Sequence, residues 1–287
     1  MPRRAFHFGT VGAPRSTPAR PGGSVGAVQR LAELDLTAFE LGWVQSVRVK
    51  EETCLAIRQA ASEAGVHISV HAPYYINLNA GPDEWPKSRK RLMDAAHYGN
   101  LAGATDIVFH PGSYFGQPPE QVLELAVRRL RDCVTELRAA DNPATLRPET
   151  MGKGAMIGSL DDVIQMAREI EGVAPCIDFA HLHARTGDGS LNSYDEWIVV
   201  LRQIRKDLGA AALKHLHCHL SGIEYGPKGE RNHLRLTESD LDLPGLFRAL
   251  ADMKCQGRIL CESPVLEDDA LIFLRTWQKT EARGKRA

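Results

Sequence analysis

Short apolar segments alternate with longer amphipathic segments along this sequence, and the alternation repeats eight times. The short segments have the length of β-strands, and in the long ones apolar residues recur at helical spacing. In residues 118–140, for example, Val122, Leu130 and Leu137 fall on one face of a helix. The predicted strands are residues 5–11, 37–43, 67–73, 106–112, 144–150, 174–180, 214–220 and 257–263. The predicted helices are residues 24–35, 50–65, 86–103, 118–140, 159–171, 193–208, 242–255 and 266–280.

Eight strand–helix units predict a single (β/α)8 barrel, the TIM-barrel fold of the α/β class, with one domain over residues 1–287. A doubly wound sheet is disfavoured, because the segment after the first strand is too long and proline-rich for a dinucleotide-binding turn. The length of 287 residues suits a barrel, which typically needs about 250 residues. In this fold the loops after the strands build the active site at the C-terminal face. We predict such loops at residues 12–23, 76–86, 183–192 and 221–240.

Composition limits the partners and the compartment. The chain has 35 Lys and Arg against 36 Asp and Glu, so DNA binding would need a local basic cluster or metal ions. No apolar run is long enough for a membrane span, and residues 1–23 lack the apolar core of a signal peptide. The six cysteines form no C-x-x-C pair, which predicts buried, reduced thiols in a cytoplasmic protein. We expect a monomer, with no membrane or protein partner.

Six predicted strands end in a histidine or an acidic residue that can face the inside of the barrel. These residues are His71, His110, Glu149, Asp178, His219 and Glu262. Any one of them alone could be an ordinary core residue, but burying three imidazoles and three carboxylates together is costly unless cations compensate. Such mixed ligands suit Zn²⁺, or Mn²⁺ or Fe²⁺ if the carboxylates dominate. His181, three residues past Asp178, and His233, in the long loop after strand 7, could join the cluster.

The motifs around these residues occur in a recognisable order. They are HAPYYINL (71–78), VFHPGSY (108–114), PETMGKG (148–154), CIDFAH (176–181), HLSG (219–222), a loop histidine at 233 and ILCESP (259–264). In this order they resemble the endonuclease IV family of apurinic/apyrimidinic (AP) endonucleases. Members of that family are TIM barrels with three zinc ions that cut the DNA backbone 5′ of an abasic site. The resemblance implies a zinc-dependent AP endonuclease of base excision repair, with abasic DNA as its substrate.

The resemblance also implies a role for individual residues. The three implied zinc sites consist of His71, His110 and Glu149; of Glu149, Asp178, His219 and Glu262; and of His181 and His233. Glu149, which bridges two ions, and Glu262 are the implied catalytic carboxylates. Tyr74 matches a tyrosine that the family inserts into DNA at the lesion.

One position departs from the family pattern. The family has an aspartate two residues before the loop histidine, where this chain has Arg231. A cationic side chain opposes a metal ion at that position, so we expect two or three ions per chain, with the third site the weakest. Glu230 is the substitute ligand that we predict, and Arg231 is a predicted DNA contact.

A sugar isomerase or epimerase of the xylose isomerase-like superfamily is the alternative function. Those enzymes hold one divalent metal ion with four residues of strands 5 to 8, and the second implied zinc site fits that set equally well. Glu149 and Glu262 would then flank the substrate and move a proton next to its carbonyl group. A non-catalytic scaffold is disfavoured by the intact set of carboxylates. Glu40 is predicted to be a salt-bridged carboxylate at the rim of the barrel, and His217 a structural histidine.

Overall fold

The computed structural model describes residues 4–284, and within this range the chain forms ten strands and nine α-helices. The strands are β1 (Phe6–Val11), β2 (Ala38–Gly42), β3 (His67–His71), β4 (Asp106–Phe109), β5 (Thr145–Pro148), β6 (Cys176–Asp178), β7 (Leu216–Leu220), β8 (Gly222–Gly226), β9 (Gly229–Leu234) and β10 (Gly257–Cys261). The helices are α1 (Gly23–Glu33), α2 (Glu51–Ala64), α3 (Trp85–Leu101), α4 (Pro119–Ala139), α5 (Leu160–Glu169), α6 (Phe179–Arg185), α7 (Tyr194–Leu208), α8 (Leu243–Asp252) and α9 (Glu267–Gly284).

Eight of the strands form one parallel sheet that curls into a barrel. Their order is β5-β4-β3-β2-β1-β10-β7-β6. The two end strands meet through parallel bridges that join Leu146 to Val173 and Glu149 to Cys176. The predicted TIM barrel is confirmed, and each predicted strand contains one observed barrel strand. The eight predicted helices are also present, with ends that differ by a few residues, and no helix within residues 4–284 is long and apolar enough to cross a bilayer.

Two segments that were predicted to be loops, residues 183–192 and 221–240, contain regular structure, so those predictions were wrong there. The first of them begins inside α6. This helix follows β6 directly, because Asp178 ends the strand and also caps the helix: its side chain accepts a hydrogen bond from the backbone N–H of His181 (2.7 Å). Within residues 221–240, β8 and β9 pair as an antiparallel hairpin. The hairpin packs on two alanines of α6 through Ile223. Most other hairpin side chains are polar, which hides the strand pattern in the sequence.

Apolar side chains fill the space between the sheet and the helices, whereas polar and charged side chains meet inside the barrel. Trp197 of α7 is fully buried, for example, and packs edge-on against Phe179. At the N-terminal end of the barrel, Asp106 of β4 pairs with Arg147 of β5 and with Arg258 of β10. Burial raises the pKa of Asp106, but the two guanidinium groups outweigh burial and hold the pKa well below its usual value.

Candidate metal centre

The six predicted strand-end residues meet at the C-terminal end of the barrel. They are His71 at the end of β3, His110 after β4, Glu149 after β5, Asp178 at the end of β6, His219 near the end of β7 and Glu262 after β10. Because parallel strands end at the same rim, side chains from six strands converge there. Those that are almost completely buried are His71, Glu149, Asp178 and His219.

Glu149 lies at the centre of this cluster. Its Oε2 is 3.3 Å from Nε2 of His71 and 3.3 Å from Nε2 of His110. Its Oε1 is 3.0 Å from Nδ1 of His219 and 3.5 Å from Nδ1 of His181. One buried carboxylate therefore contacts four imidazoles, and its two oxygens face different pairs of them.

Among the described residues the potential ligand atoms form five groups, in each of which the atoms lie within 4.8 Å of one another, and three of these groups match the implied zinc sites. These three groups consist of His71, His110 and Glu149; of Glu149, Asp178, His219 and Glu262; and of Asp178, His181 and His233. Glu149 belongs to the first and second groups, and Asp178 belongs to the second and third. The three groups correspond to the three zinc sites that the sequence resemblance implies, with Asp178 added to the third.

Three buried atoms of the cluster test whether a cation fits here. His71 Nε2, Glu149 Oε2 and Asp178 Oδ2 have no hydrogen-bond partner in the described part of the chain. Leaving such an atom unpaired costs about 1–3 kcal/mol. One cation in the group of His71, His110 and Glu149 and another in a group that contains Asp178 would satisfy these atoms, and imidazole nitrogens with carboxylate oxygens are ligands that Zn²⁺ prefers. The residues therefore fit a divalent transition metal, and the identity of that metal stays a prediction.

The hydrogen bonds of the histidine rings agree with this fit. Nδ1 of His71, His181 and His233 lies 3.0, 2.9 and 3.2 Å from a backbone carbonyl oxygen, respectively. In His219 the pattern is reversed, because Nε2 lies 2.8 Å from the carboxylate of Glu40. A ring nitrogen that donates to a carbonyl or a carboxylate leaves the other nitrogen with its lone pair free, as in histidines that bind metals. The free nitrogens of these four rings face the cluster.

Carboxylates dominate the electrostatics of the cluster. Burial alone lowers the pKa of His71, but the adjacent carboxylate of Glu149 raises it to about 9. Burial also lowers the pKa of His181, which the charges of Asp178 and Glu149 raise to about 9. Burial raises the pKa of Glu149, but His219 and the other nearby imidazoles hold it well below its usual value. The cluster therefore attracts cations, whether protons or metal ions.

Glu230 and Arg231 are neighbours on β9, but their side chains point in different directions. Oε2 of Glu230 lies 3.6 Å from Nε2 of His181, so this carboxylate reaches the third group. Arg231 is exposed, and its Nη1 lies 3.4 Å from Oε1 of Glu224 on β8. Arg231 therefore does not face the cluster, whereas Glu230, the predicted substitute ligand, does. Gly152 makes room for Glu230, because a Cβ atom at this glycine would lie 2.6 Å from Cβ of Glu230.

A β-bulge in the hairpin explains these directions. Glu224 pairs with Asn232 and Tyr225 pairs with Glu230, so Arg231 has no partner in the ladder. Strict alternation would place residue 231 on the same face as the histidine at 233. The extra residue changes the alternation and turns the residue at 230 toward the cluster instead.

Tyr74 borders the cluster at the mouth of the barrel. Half of its surface is exposed, and its ring stacks on the ring of His110 with a centroid distance of 5.0 Å. It also lines a cavity of about 240 Å³ that reaches His181, His233 and Glu262. This position is compatible with either a substrate contact or an ordinary loop tyrosine.

Glu40 does not lie at the rim, where the sequence predicted it, but is fully buried inside the barrel beneath the cluster. Its Oε1 is 2.8 Å from Nε2 of His219, and its Oε2 is 2.8 Å from Nε2 of His217. Burial raises the pKa of Glu40, but the two histidines outweigh burial and hold it well below its usual value. The sequence did indicate that His217 points into the barrel, where Glu40 lies, because alternation along β7 places His217 on the same face as His219.

Comparison with known proteins identifies the family. A family model described as a xylose isomerase-like TIM barrel matches residues 28–279. The chain belongs to this family. It is 36% identical over 273 residues to an uncharacterized protein of Methanocaldococcus jannaschii, across 95% of this chain and 97% of that protein. It is 29% identical to a protein of Thermus thermophilus named endonuclease 4, across 96% of this chain and 98% of the relative.

Solved structures with a similar fold include one named endonuclease IV and one named D-tagatose 3-epimerase-like protein. Endonuclease IV from Thermus thermophilus superposes with a TM-score of 0.69 at 23% identity, over 96% of this chain and 99% of that one. A D-tagatose 3-epimerase-like protein superposes with a TM-score of 0.72 at 15% identity, over 97% and 100%. At these identities the two likenesses show the fold alone. The predicted resemblance to endonuclease IV is confirmed by the relatives that carry the name endonuclease 4.

Proposed function

We propose that this member of the family is a phosphodiesterase that cuts the DNA backbone 5′ of abasic sites in base excision repair. It would use two or three zinc ions, with Mn²⁺ or Fe²⁺ as the alternative metals. The observation that carries the proposal is the number of histidines at the barrel mouth. A one-metal isomerase needs only the group of Glu149, Asp178, His219 and Glu262. The additional histidines at the same mouth are His71, His110, His181 and His233.

The proposed reaction is hydrolysis of a phosphodiester bond. Metal ions in such sites activate a water molecule as the nucleophile and neutralise the charge that develops on the phosphate. Glu149 would hold two ions close together, because its two oxygens face different pairs of histidines. Glu262 borders the open cavity, and its Oε1 lies 3.5 Å from Nδ1 of His219, so it joins the second group to the space where a phosphate would enter.

Recognition of DNA would depend on the loops around the mouth, because the net charge of the chain is only −1. The exposed basic residues of these loops include Arg15, Arg20, Arg48, Lys50, Lys228 and Arg231. Arg231 can leave its exposed pair with Glu224 at little cost, since such surface pairs contribute about 0–1 kcal/mol. Tyr74 would contact the DNA next to the lesion, because its exposed ring stands above a histidine of the first group.

The assay that tests this function offers two substrates to one zinc-loaded preparation. A synthetic duplex with one abasic site should be cut 5′ of the lesion, and a panel of ketoses should be left unchanged. Cleavage should weaken with salt, by roughly one log unit in binding constant per log unit of salt for each phosphate contact. Turnover of a ketose without any strand cleavage would favour the isomerase, for which the second ligand group is a complete one-metal site.

Replacing Glu230 with glutamine should weaken the third metal group selectively. The amide keeps the size of the side chain but removes the charge that lies 3.6 Å from His181. We expect the purified variant to retain about one zinc ion fewer per chain, since a site needs about four ligands for zinc. The matched control is Arg231→Gln, whose side chain points away from the cluster and which should retain the zinc content of the wild type. Equal zinc contents in Glu230→Gln and wild type would exclude Glu230 as a ligand.

A further inference from the structure

A hydrogen-bonded cluster lies directly beneath the metal groups, and its four members come from three different barrel strands. They are Glu40 of β2, Ser69 of β3, and His217 and His219 of β7, and all four are fully buried. Oε1 of Glu40 contacts Nε2 of His219 at 2.8 Å. Oε2 of Glu40 accepts from Oγ of Ser69 at 2.7 Å and lies 2.8 Å from Nε2 of His217.

The two ring nitrogens of His219 have different surroundings. Nδ1 lies 3.0 Å from Oε1 of Glu149 and 3.5 Å from Oε1 of Glu262, whereas Nε2 faces Glu40. Carboxylates on both sides would each accept a hydrogen bond, but a neutral imidazole has only one N–H to donate. If Nε2 of the neutral ring donates to Glu40, Nδ1 presents a lone pair to two carboxylates, and that arrangement is favourable only when Nδ1 binds a cation, either a proton or a metal ion.

Glu40 itself is held in one orientation. Because Ser69 and His217 both bind Oε2, the carboxylate cannot rotate away from His219 without breaking two hydrogen bonds. The neighbouring residues on β2, Phe39 and Leu41, are apolar and buried. A buried carboxylate is a costly way to stabilise a strand, and well-packed hydrophobic residues of similar volume would often serve at least as well. The position of the charge next to a potential ligand therefore calls for a role beyond packing.

We propose that Glu40 is a positioning residue that fixes His219 with its proton on Nε2 and directs Nδ1 at the second metal group. This inference rests on the metal centre of the proposed function, but it concerns metal binding and not the substrate. The carboxylate orients the ring and increases the electron density that Nδ1 offers to the ion. Ser69 and His217 act one step further away, because they orient Glu40.

Zinc affinity, measured by competition with a chelator, tests the proposal in Glu40→Gln and Ser69→Ala. We expect Glu40→Gln to bind zinc about 10- to 100-fold more weakly than wild type, the usual effect of losing a partner of a metal-binding histidine. Ser69→Ala removes a hydrogen bond from the far oxygen of Glu40 and keeps the contact with His219. It should lower zinc affinity far less than Glu40→Gln does, because His217 still binds Oε2 and Oε1 still contacts His219. Unchanged affinity in Glu40→Gln, or equal losses in the two variants, would reduce Glu40 to a structural residue.

Nuclear magnetic resonance of ¹⁵N-labelled histidine provides a second readout that a packing role would not affect. In zinc-loaded wild type, the ring of His219 should carry its proton on Nε2 and show the metal-bound shift at Nδ1. A proton on Nδ1 in the loaded protein would overturn the proposal. A wild type that takes up no zinc at all would instead refute the proposed function, so the two failures are distinguishable.

Discussion

Glu149→Gln should abolish strand cleavage at abasic sites while leaving the protein folded. The amide is nearly the same size, but it removes the negative charge that faces His71, His110, His181 and His219. Replacing a residue that hydrogen-bonds to a metal-binding histidine, without binding the metal itself, lowers activity about 10- to 100-fold. Replacing Glu149, which would bind two ions directly, should therefore lower activity by more than about 100-fold. Rates on a labelled abasic duplex measure this effect.

The control for Glu149→Gln is Glu63→Gln, which changes an exposed carboxylate near the end of α2, far from the barrel mouth. Glu63→Gln should cleave the duplex at the wild-type rate. Circular dichroism and thermal melting should show that both variants fold, because the apolar core between sheet and helices is unchanged. Wild-type turnover by Glu149→Gln would exclude Glu149 as a bridging ligand.

Removal of metal ions should be the second change with a large effect. A chelator should reduce cleavage of the abasic duplex to background, and added zinc should restore it. The reason is that the nucleophile of the proposed reaction is a water molecule activated by metal ions, and no side chain replaces it. Metal analysis of protein purified without added metal should give two or three ions per chain. A single ion, bound by Glu149, Asp178, His219 and Glu262 alone, would favour the isomerase instead.

The metal affinity should also depend on pH in a defined direction. Without metal, the pKa values of His71 and His181 rise from 6.5 to about 9, so both imidazoles carry protons at neutral pH. The stabilisation of the metal-free protein by these protons is complete below about pH 6.5 and is lost as the pH rises through about 9. Zinc must displace the protons, so its affinity should increase over this range and its binding should release protons. Calorimetry in buffers with different ionisation enthalpies counts those protons, and a pH-independent affinity would contradict the assigned ligands.

The sequence by itself determined the barrel and the strand-end residues of the candidate site. Strand and helix periods are local properties, so eight repeated units were visible without any knowledge of their contacts. The carboxyl ends of parallel strands share one rim, and for that reason residues as distant in sequence as His71 and Glu262 could be placed together. The motifs around them also supported the family, which the comparisons confirm.

Only the tertiary structure decided the contacts that depend on register and on distant partners. Arg231 and Glu230 could not be assigned from alternation, because a bulge within the hairpin changes the face on which each side chain lies. Glu40 looked like a rim carboxylate, because its partner His217 is 177 residues away along the chain. Barrel closure brings β2 and β7 together across the interior, and this contact converts an ordinary strand glutamate into the buried partner of a candidate metal ligand.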